Sequence, residues 1–134
     1  MVRTLGITLA VALLAAGCGV RTTKPFTAKG TQGCLKSHGF TGVTTNPGQV
    51  GFIAGFAQNG GIKATSAMGN VLTIAFTADA GSTSSTEQAF RSHAPKRLRP
   101  HMSDIMQTNR NAVFVWTTTP DPSELAAATG CLAP

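Results

Sequence analysis

Carboxylate side chains are the first groups to consider for chemistry, because acid–base catalysis often uses a pair of them. The chain has only five among its 134 residues. Glu87, Asp121 and Glu124 stand at the expected starts of helices, where a carboxylate caps backbone N–H groups. A glycosidase-like pair would need two carboxyl groups facing one cleft, and only Asp79 and Asp104 remain for it. No motif brings these two together, so no catalytic residue is predicted.

Histidine and serine side chains offer no recognisable site either. His38, His93 and His101 lack the i, i+4 spacing and the Cys/His clustering that make a metal site specific, so neither a metal nor another cofactor is expected. The chain has no Gly-x-Ser-x-Gly motif, and Ser92 and His93, as sequence neighbours, do not provide the geometry of a catalytic pair. The sequence therefore favours a protein that is not an enzyme.

Cys18 follows a pattern that is typical of export. Arg3 gives a positive start, residues 5–14 are apolar, and three small residues lead directly to the cysteine. The apolar stretch is too short to cross a bilayer as a helix, which takes about 20 residues. The residues Leu14-Ala15-Ala16-Gly17-Cys18 resemble the lipobox of bacterial lipoproteins, which implies removal of residues 1–17 as a signal peptide and acylation of Cys18. The alternative is plain secretion with a free thiol.

Cys34 and Cys131 are the two cysteines that remain if Cys18 carries lipid. An oxidising compartment outside the cytoplasm would pair them. They lack the Cys-x-x-Cys spacing of redox proteins, so the bond is expected to be structural. It would close a loop that covers nearly the whole folded part of the chain.

Four helices are predicted from capping and periodicity. The first covers residues 31–38 and ends at Gly39. The second covers residues 50–57, where a strand is the alternative. The third opens at a capping box formed by residues 84–87 and ends before Pro95. The last begins at Asp121, with Pro122 in its first turn.

Strand patterns are clearest in two hairpins. The first joins residues 62–67 to residues 71–78 and has one apolar face, and the second joins residues 103–108 to residues 112–118. Together these elements predict an α+β fold, with an antiparallel sheet of about four or five strands, helices packed on one face and one disulfide. We expect residues 18–30 to be a lipidated cysteine with a flexible tether, and residues 31–134 to be a single domain.

A basic segment, residues 91–101, concentrates positive charge in a chain of net charge +6. Arg91, Lys96, Arg97 and Arg99 are its candidate contacts to an anionic surface. Nucleic acid is not expected as a partner of an exported protein, and the segment has no interleaved aromatic residues for base stacking. Anionic lipid or an anionic wall polymer is compatible with the expected location, and a solvated loop is the alternative.

The whole pattern combines a lipobox, an early Cys34-Leu35, an Asn-led apolar strand at residues 111–116 and a terminal Cys131-Leu132. It resembles small lipoproteins of high-GC Gram-positive bacteria, a resemblance that implies location and architecture but no activity. The sequence thus predicts a lipid-anchored protein on the outer side of the cell membrane, acting as a non-enzymatic binding or interaction module. A small envelope hydrolase with an unrecognised active site is the alternative, and a protein partner is not identified.

Overall fold

A five-stranded antiparallel sheet forms the centre of the fold in the computed structural model, which describes residues 23–134. The strand order is β1-β2-β3-β5-β4, and each neighbouring pair is antiparallel. This confirms the predicted α+β class and the expected number of strands. The strands are β1 (Thr41–Thr44), β2 (Gly61–Thr65), β3 (Val71–Phe76), β4 (Met106–Asn109) and β5 (Ala112–Trp116).

Six helices accompany the sheet within residues 23–134, several of them only one turn long. None of the helices in the described part of the chain has the length and apolar character needed to span a membrane. Within residues 50–57, where helix was predicted and strand was the alternative, only Phe52–Gly55 forms a helical turn, and a separate turn, Pro47–Val50, precedes it. The helices are α1 (Ala28–Ser37), α2 (Pro47–Val50), α3 (Phe52–Gly55), α4 (Thr83–His93), α5 (Met102–Ile105) and α6 (Pro122–Gly130).

Strand β3 of the first hairpin follows the predicted alternation of side chains. In β3, Leu72, Ile74 and Phe76 point to one face and are fully buried. The turn before it uses Gly69 at φ 82°, a left-handed conformation that favours glycine. The second hairpin is shorter than predicted, because α5 occupies residues 102–105 and β4 begins only at Met106.

Helices cover both faces of the sheet, which corrects the expectation of one covered face. Ile74 packs in the main core with Leu35 of α1, whereas its neighbour Ala75 packs with Val50 of α2 and Ala54 of α3. Consecutive strand residues point to opposite faces, so α1 lies on one side and α2 and α3 on the other. We call the side that carries Ala75 the second face.

The disulfide between Cys34 and Cys131 is present, as predicted. Their Cα atoms are 5.3 Å apart, and the bond joins α1 to the residue that ends α6. Helix α6 starts with the predicted cap, in which Asp121 accepts a hydrogen bond from the Ser123 N–H and Glu124 accepts one from the Asp121 N–H. The first and last helices are therefore fixed to each other.

The predicted capping box at residues 84–87 does not form. Helix α4 begins at Thr83 after a short 3-10 turn, and the cap of that turn is Asp79, which accepts from the Ser82 N–H at 2.9 Å. Glu87 instead accepts a hydrogen bond from the Thr108 hydroxyl of β4. Its carboxylate thus links α4 to the edge of the sheet.

The folded domain begins earlier than predicted, so residues 24–30 are not tether. The Phe26 N–H donates to the Asn111 side-chain oxygen at 2.8 Å, and the Asn111 amide donates back to the Phe26 carbonyl at 2.9 Å. Ala28 opens α1 and is buried. Arg110 lies over the Phe26 ring, 4.0 Å from its centroid. The predicted signal peptide, residues 1–17, and Cys18 lie outside the described residues.

Candidate binding face

The basic segment lies beside the second face and is exposed at each of its four candidate residues. Arg91 is in the last turn of α4, Lys96 and Arg97 lie in the turn that follows Pro95, and Arg99 begins a 3-10 turn. The segment contains the end of α4 and a short 3-10 turn. These local turns present the cations at the surface.

Arg99 differs from the other three cations because its guanidinium is held by the backbone. Its Nε donates to the Ala94 carbonyl at 3.0 Å, and a terminal nitrogen donates to the Ser92 carbonyl at 3.3 Å. These carbonyls lie at the end of α4, where a cation is favoured by the helix dipole. Arg99 therefore stabilises the turn, and Arg91, Lys96 and Arg97 are better candidates for contact with a ligand.

A groove of about 460 Å³ runs across the second face between the loop of α2 and α3 and helix α4. Val50, Ile53 and Ala54 form one wall, and Phe90 and His93 form the other. Lys63 and Thr73, which are partners in neighbouring strands, also line it. The sequence analysis did not predict this groove.

A smaller cavity of about 190 Å³ continues the groove toward α5. Both spaces share Ile53, Phe90 and His93, so they are adjacent. Most of the further lining is apolar, and no aspartate or glutamate lines either space. The other residues of the smaller cavity are Ala94, Pro95, Leu98, Met102, Ile105 and Val115.

Two phenylalanines project from the rim of the groove. Phe52 is 75% exposed and Phe56 is 78% exposed, and their ring centroids are 4.9 Å apart. Gly51, at φ 93°, breaks the chain into two single turns, so Ala54 faces the sheet and the phenylalanines face outward. Close packing also requires Gly61, where a Cβ would come within 2.5 Å of the Ala54 carbonyl.

The candidate catalytic and metal residues are not assembled into a site. Asp79 caps its own 3-10 turn and lines a small cavity that Asp104 does not line, and Asp104 is exposed on α5. His38 lies near the disulfide, with its Nδ1 3.4 Å from the Cys34 sulfur and 3.7 Å from the Cys131 sulfur. Because both sulfurs are bonded to each other, they do not act as thiolate ligands.

Glu124 has a structural role that was only partly predicted. It is 8% exposed and accepts hydrogen bonds from the Ser66 hydroxyl and the Asp121 N–H. The Ser66 hydroxyl in turn accepts from the Asn70 N–H at 3.2 Å, so this cluster fixes the first hairpin against α6. Nearby, hydrogen bonds from the Ser123 side chain and backbone lower the pKa of Asp121.

Comparison with known proteins identifies no relative, since no protein-family model, no curated protein and no solved structure matches the chain.

Proposed function

We propose that this chain is a lipid-anchored protein of the bacterial cell envelope and a non-enzymatic module that binds anionic lipid headgroups. The lipobox ending at Cys18 supports the anchor. The disulfide between Cys34 and Cys131 fits an oxidising compartment. The observation that carries the binding role is the position of the basic segment beside two exposed phenylalanines.

Phe52 and His93 line the same groove, which puts the phenylalanine pair and the basic segment on one side of the molecule. A surface that combines exposed aromatic rings with cations suits the boundary between headgroups and acyl chains. Each cation near an anionic bilayer contributes about 1 kcal/mol, and burying one phenylalanine side chain contributes about 1.5–3 kcal/mol. This pairing favours lipid over a wall polymer, which would not bury the rings.

A short connection to the anchor would keep the domain near the bilayer. The Lys24 carbonyl accepts a hydrogen bond from Arg110, so the chain has joined the domain six peptide units after Cys18. A fully extended chain gains at most about 3.6 Å per residue, so this connection reaches about 22 Å. The domain would therefore remain within one molecular diameter of the headgroups, and its cations would be presented to them at high effective concentration.

The alternative of an envelope hydrolase has no supporting observation among the described residues. Asp104 does not line the small cavity beside Asp79, and the carboxylates of Glu87 and Glu124 are held by structural hydrogen bonds. Binding is therefore the function that the observed surface supports best.

Vesicle sedimentation tests the proposal with a soluble chain that begins at Gly19, lacks the lipid and keeps all described residues. We expect it to sediment with phosphatidylglycerol vesicles at 0.1 M salt, but not with phosphatidylcholine vesicles or at 1 M salt, where the Debye length is about 3 Å. The combined change of Arg91, Lys96 and Arg97 to glutamine should weaken binding about 100-fold. Arg99 is left unchanged because of its bonds to the backbone.

A matched control removes the same charge elsewhere, by changing Lys24, Lys29 and Lys36 to glutamine. These lysines are exposed and lie on or before α1. The control should bind several-fold better than the basic-segment variant. Equal loss in both variants, or no binding of the wild type at low salt, would contradict the proposal. Binding to purified anionic wall polymer but not to vesicles would replace lipid with polymer as the partner.

The anchor requires a separate test in cells. A clickable fatty acid should label the wild-type protein, and the variant Cys18→Ala should lose that label. Undiminished labelling of the variant would exclude Cys18 as the acylated residue.

A further inference from the structure

We propose that the groove on the second face, with its continuation toward α5, binds a long-chain fatty acid. This inference goes beyond headgroup binding at the surface, because it concerns one amphiphile held between α2, α3 and α4. The groove that holds it can be filled without changing the basic segment, so the two proposals can fail independently.

The shape and lining fit an acyl chain. The two adjacent spaces, of about 460 and 190 Å³, together fall in the range of about 300–1,000 Å³ that is usual for small-molecule sites. The smaller one is lined by Leu98, Met102, Ile105 and Val115, so it would receive the apolar end of the ligand. Ile53 and Phe90 line both spaces and would contact the chain along its length.

The charge of the lining selects an anionic head. Lys63 lies in the larger space and not in the smaller one, which separates a polar end from an apolar end. Since no carboxylate lines either space in the described chain, one cation faces the ligand without a competing acid. A single carboxylate matches this single lysine better than a doubly charged phosphate does.

Gln49 lines the larger space together with Lys63, whereas His93 lines both spaces. The His93 Nδ1 lies 2.9 Å from the Ala89 carbonyl, which can only accept, so Nδ1 carries the proton and Nε2 of the neutral ring offers a carboxylate no donor. The amide of Gln49 can donate to a carboxylate. Lys63 and Gln49 can therefore each donate to one oxygen of a fatty-acid head.

Displacement of a fluorescent polyene fatty acid measures this binding, with the soluble chain from Gly19 and competitors kept below their micelle concentrations. Palmitate should compete, and each methylene removed from it should weaken competition by up to about fourfold, the equivalent of about 0.8 kcal/mol. Hexadecanol, which has the same chain without the charge, should compete at least about tenfold less well.

Two variants locate the site. Thr73→Phe places an aromatic ring in the groove and should reduce the affinity for the fatty acid more than about tenfold. Strands tolerate aromatic residues, so the variant is expected to fold. Thr41→Phe, on the exposed edge strand β1, is the matched control and should bind as the wild type. Lys63→Gln should weaken palmitate about tenfold without affecting hexadecanol, whereas Lys36→Gln should change neither.

Unchanged binding by folded Thr73→Phe would overturn the assignment of the groove. If that variant does not fold, Lys63→Gln still tests the proposal. Equal affinity for palmitate in Lys63→Gln and the wild type would overturn the claim that Lys63 binds the carboxylate head. Tighter competition by lysophosphatidylglycerol than by palmitate would contradict a carboxylate head and show that the groove prefers a phosphate head. Vesicle sedimentation should be retained by Thr73→Phe, so loss of fatty acid alone leaves the proposed surface function standing.

Discussion

Breaking the Cys34–Cys131 bond should remove a large part of the stability of this domain. The two residues are separated by 97 positions. A cross-link over a loop of about 100 residues stabilises the folded state by about 4.7 kcal/mol in the chain-entropy description. Small domains have a total free energy of unfolding of about 5–15 kcal/mol. The reduced protein is therefore expected to be folded but only marginally stable.

The expected change in melting temperature follows from the size of the domain. With an unfolding entropy of about 2.1 cal/mol/K per residue, a domain of this length loses about 4 °C per kcal/mol, so the midpoint should fall by about 15–20 °C. Thermal and urea unfolding of oxidised protein, reduced protein and the double variant Cys34→Ala, Cys131→Ala measure this change. Intact-mass analysis after alkylation should find no free thiol in the untreated domain. Two alkylated cysteines in untreated protein, or a decrease below about 5 °C, would refute the reasoning.

Three further changes probe the contacts that hold the two ends of the chain. Glu124→Ala should lower the free energy of unfolding by about 1–3 kcal/mol in urea titrations, because the Ser66 hydroxyl and the Asp121 N–H lose their acceptor. An unchanged free energy of unfolding would contradict the structural role of Glu124. The Ser123 donors lower the pKa of Asp121, so the stabilising effect of its carboxylate should be complete above about pH 4 and lost as pH falls through the lowered pKa. Asp121→Asn should flatten this acid-induced loss of stability. Parallel profiles of unfolding free energy against pH for the variant and the wild type would exclude the effect. Starting the chain at Thr27 removes Phe26 but keeps the cap and the buried Ala28 of α1, and should destabilise by about 1–3 kcal/mol, but by much less in an Asn111→Ala background. Equal losses in both backgrounds would show that Phe26 and Asn111 are not coupled.

Sequence patterns predicted the start of α6 and the buried face of β3, because both depend on residues that are close together in the sequence. Asp121 caps α6 because its carboxylate accepts from the N–H group of Ser123, which follows only two residues later in the sequence. The alternation of Leu72, Ile74 and Phe76 predicted the buried face of β3, because side chains on a strand alternate whatever else the fold does. The capping box at residues 84–87 was wrong because several polar residues there can cap, and Asp79 does so earlier in the chain.

Long-range contacts account for the remaining differences. The Asn111 side chain binds Phe26 across 85 positions, so a segment without apolar periodicity becomes part of the domain. Ala75 is small and occupies the face predicted to be open, and only the fold shows that α2 and α3 cover it. The basic segment was identified from its composition, whereas the groove beside it combines residues from five elements that no sequence spacing relates.

Chemical-shift mapping by NMR tests the central claim, that the side of the molecule carrying the basic segment contacts anionic lipid. The soluble chain from Gly19 would be titrated with small phosphatidylglycerol-containing bicelles at 0.1 M salt. We predict that amide signals of residues 91–101 and of the loop that carries Phe52 and Phe56 shift together, and that signals of α1 and α6 do not. Shifts centred on α1 and α6, or the absence of shifts in residues 91–101, would contradict the proposed function.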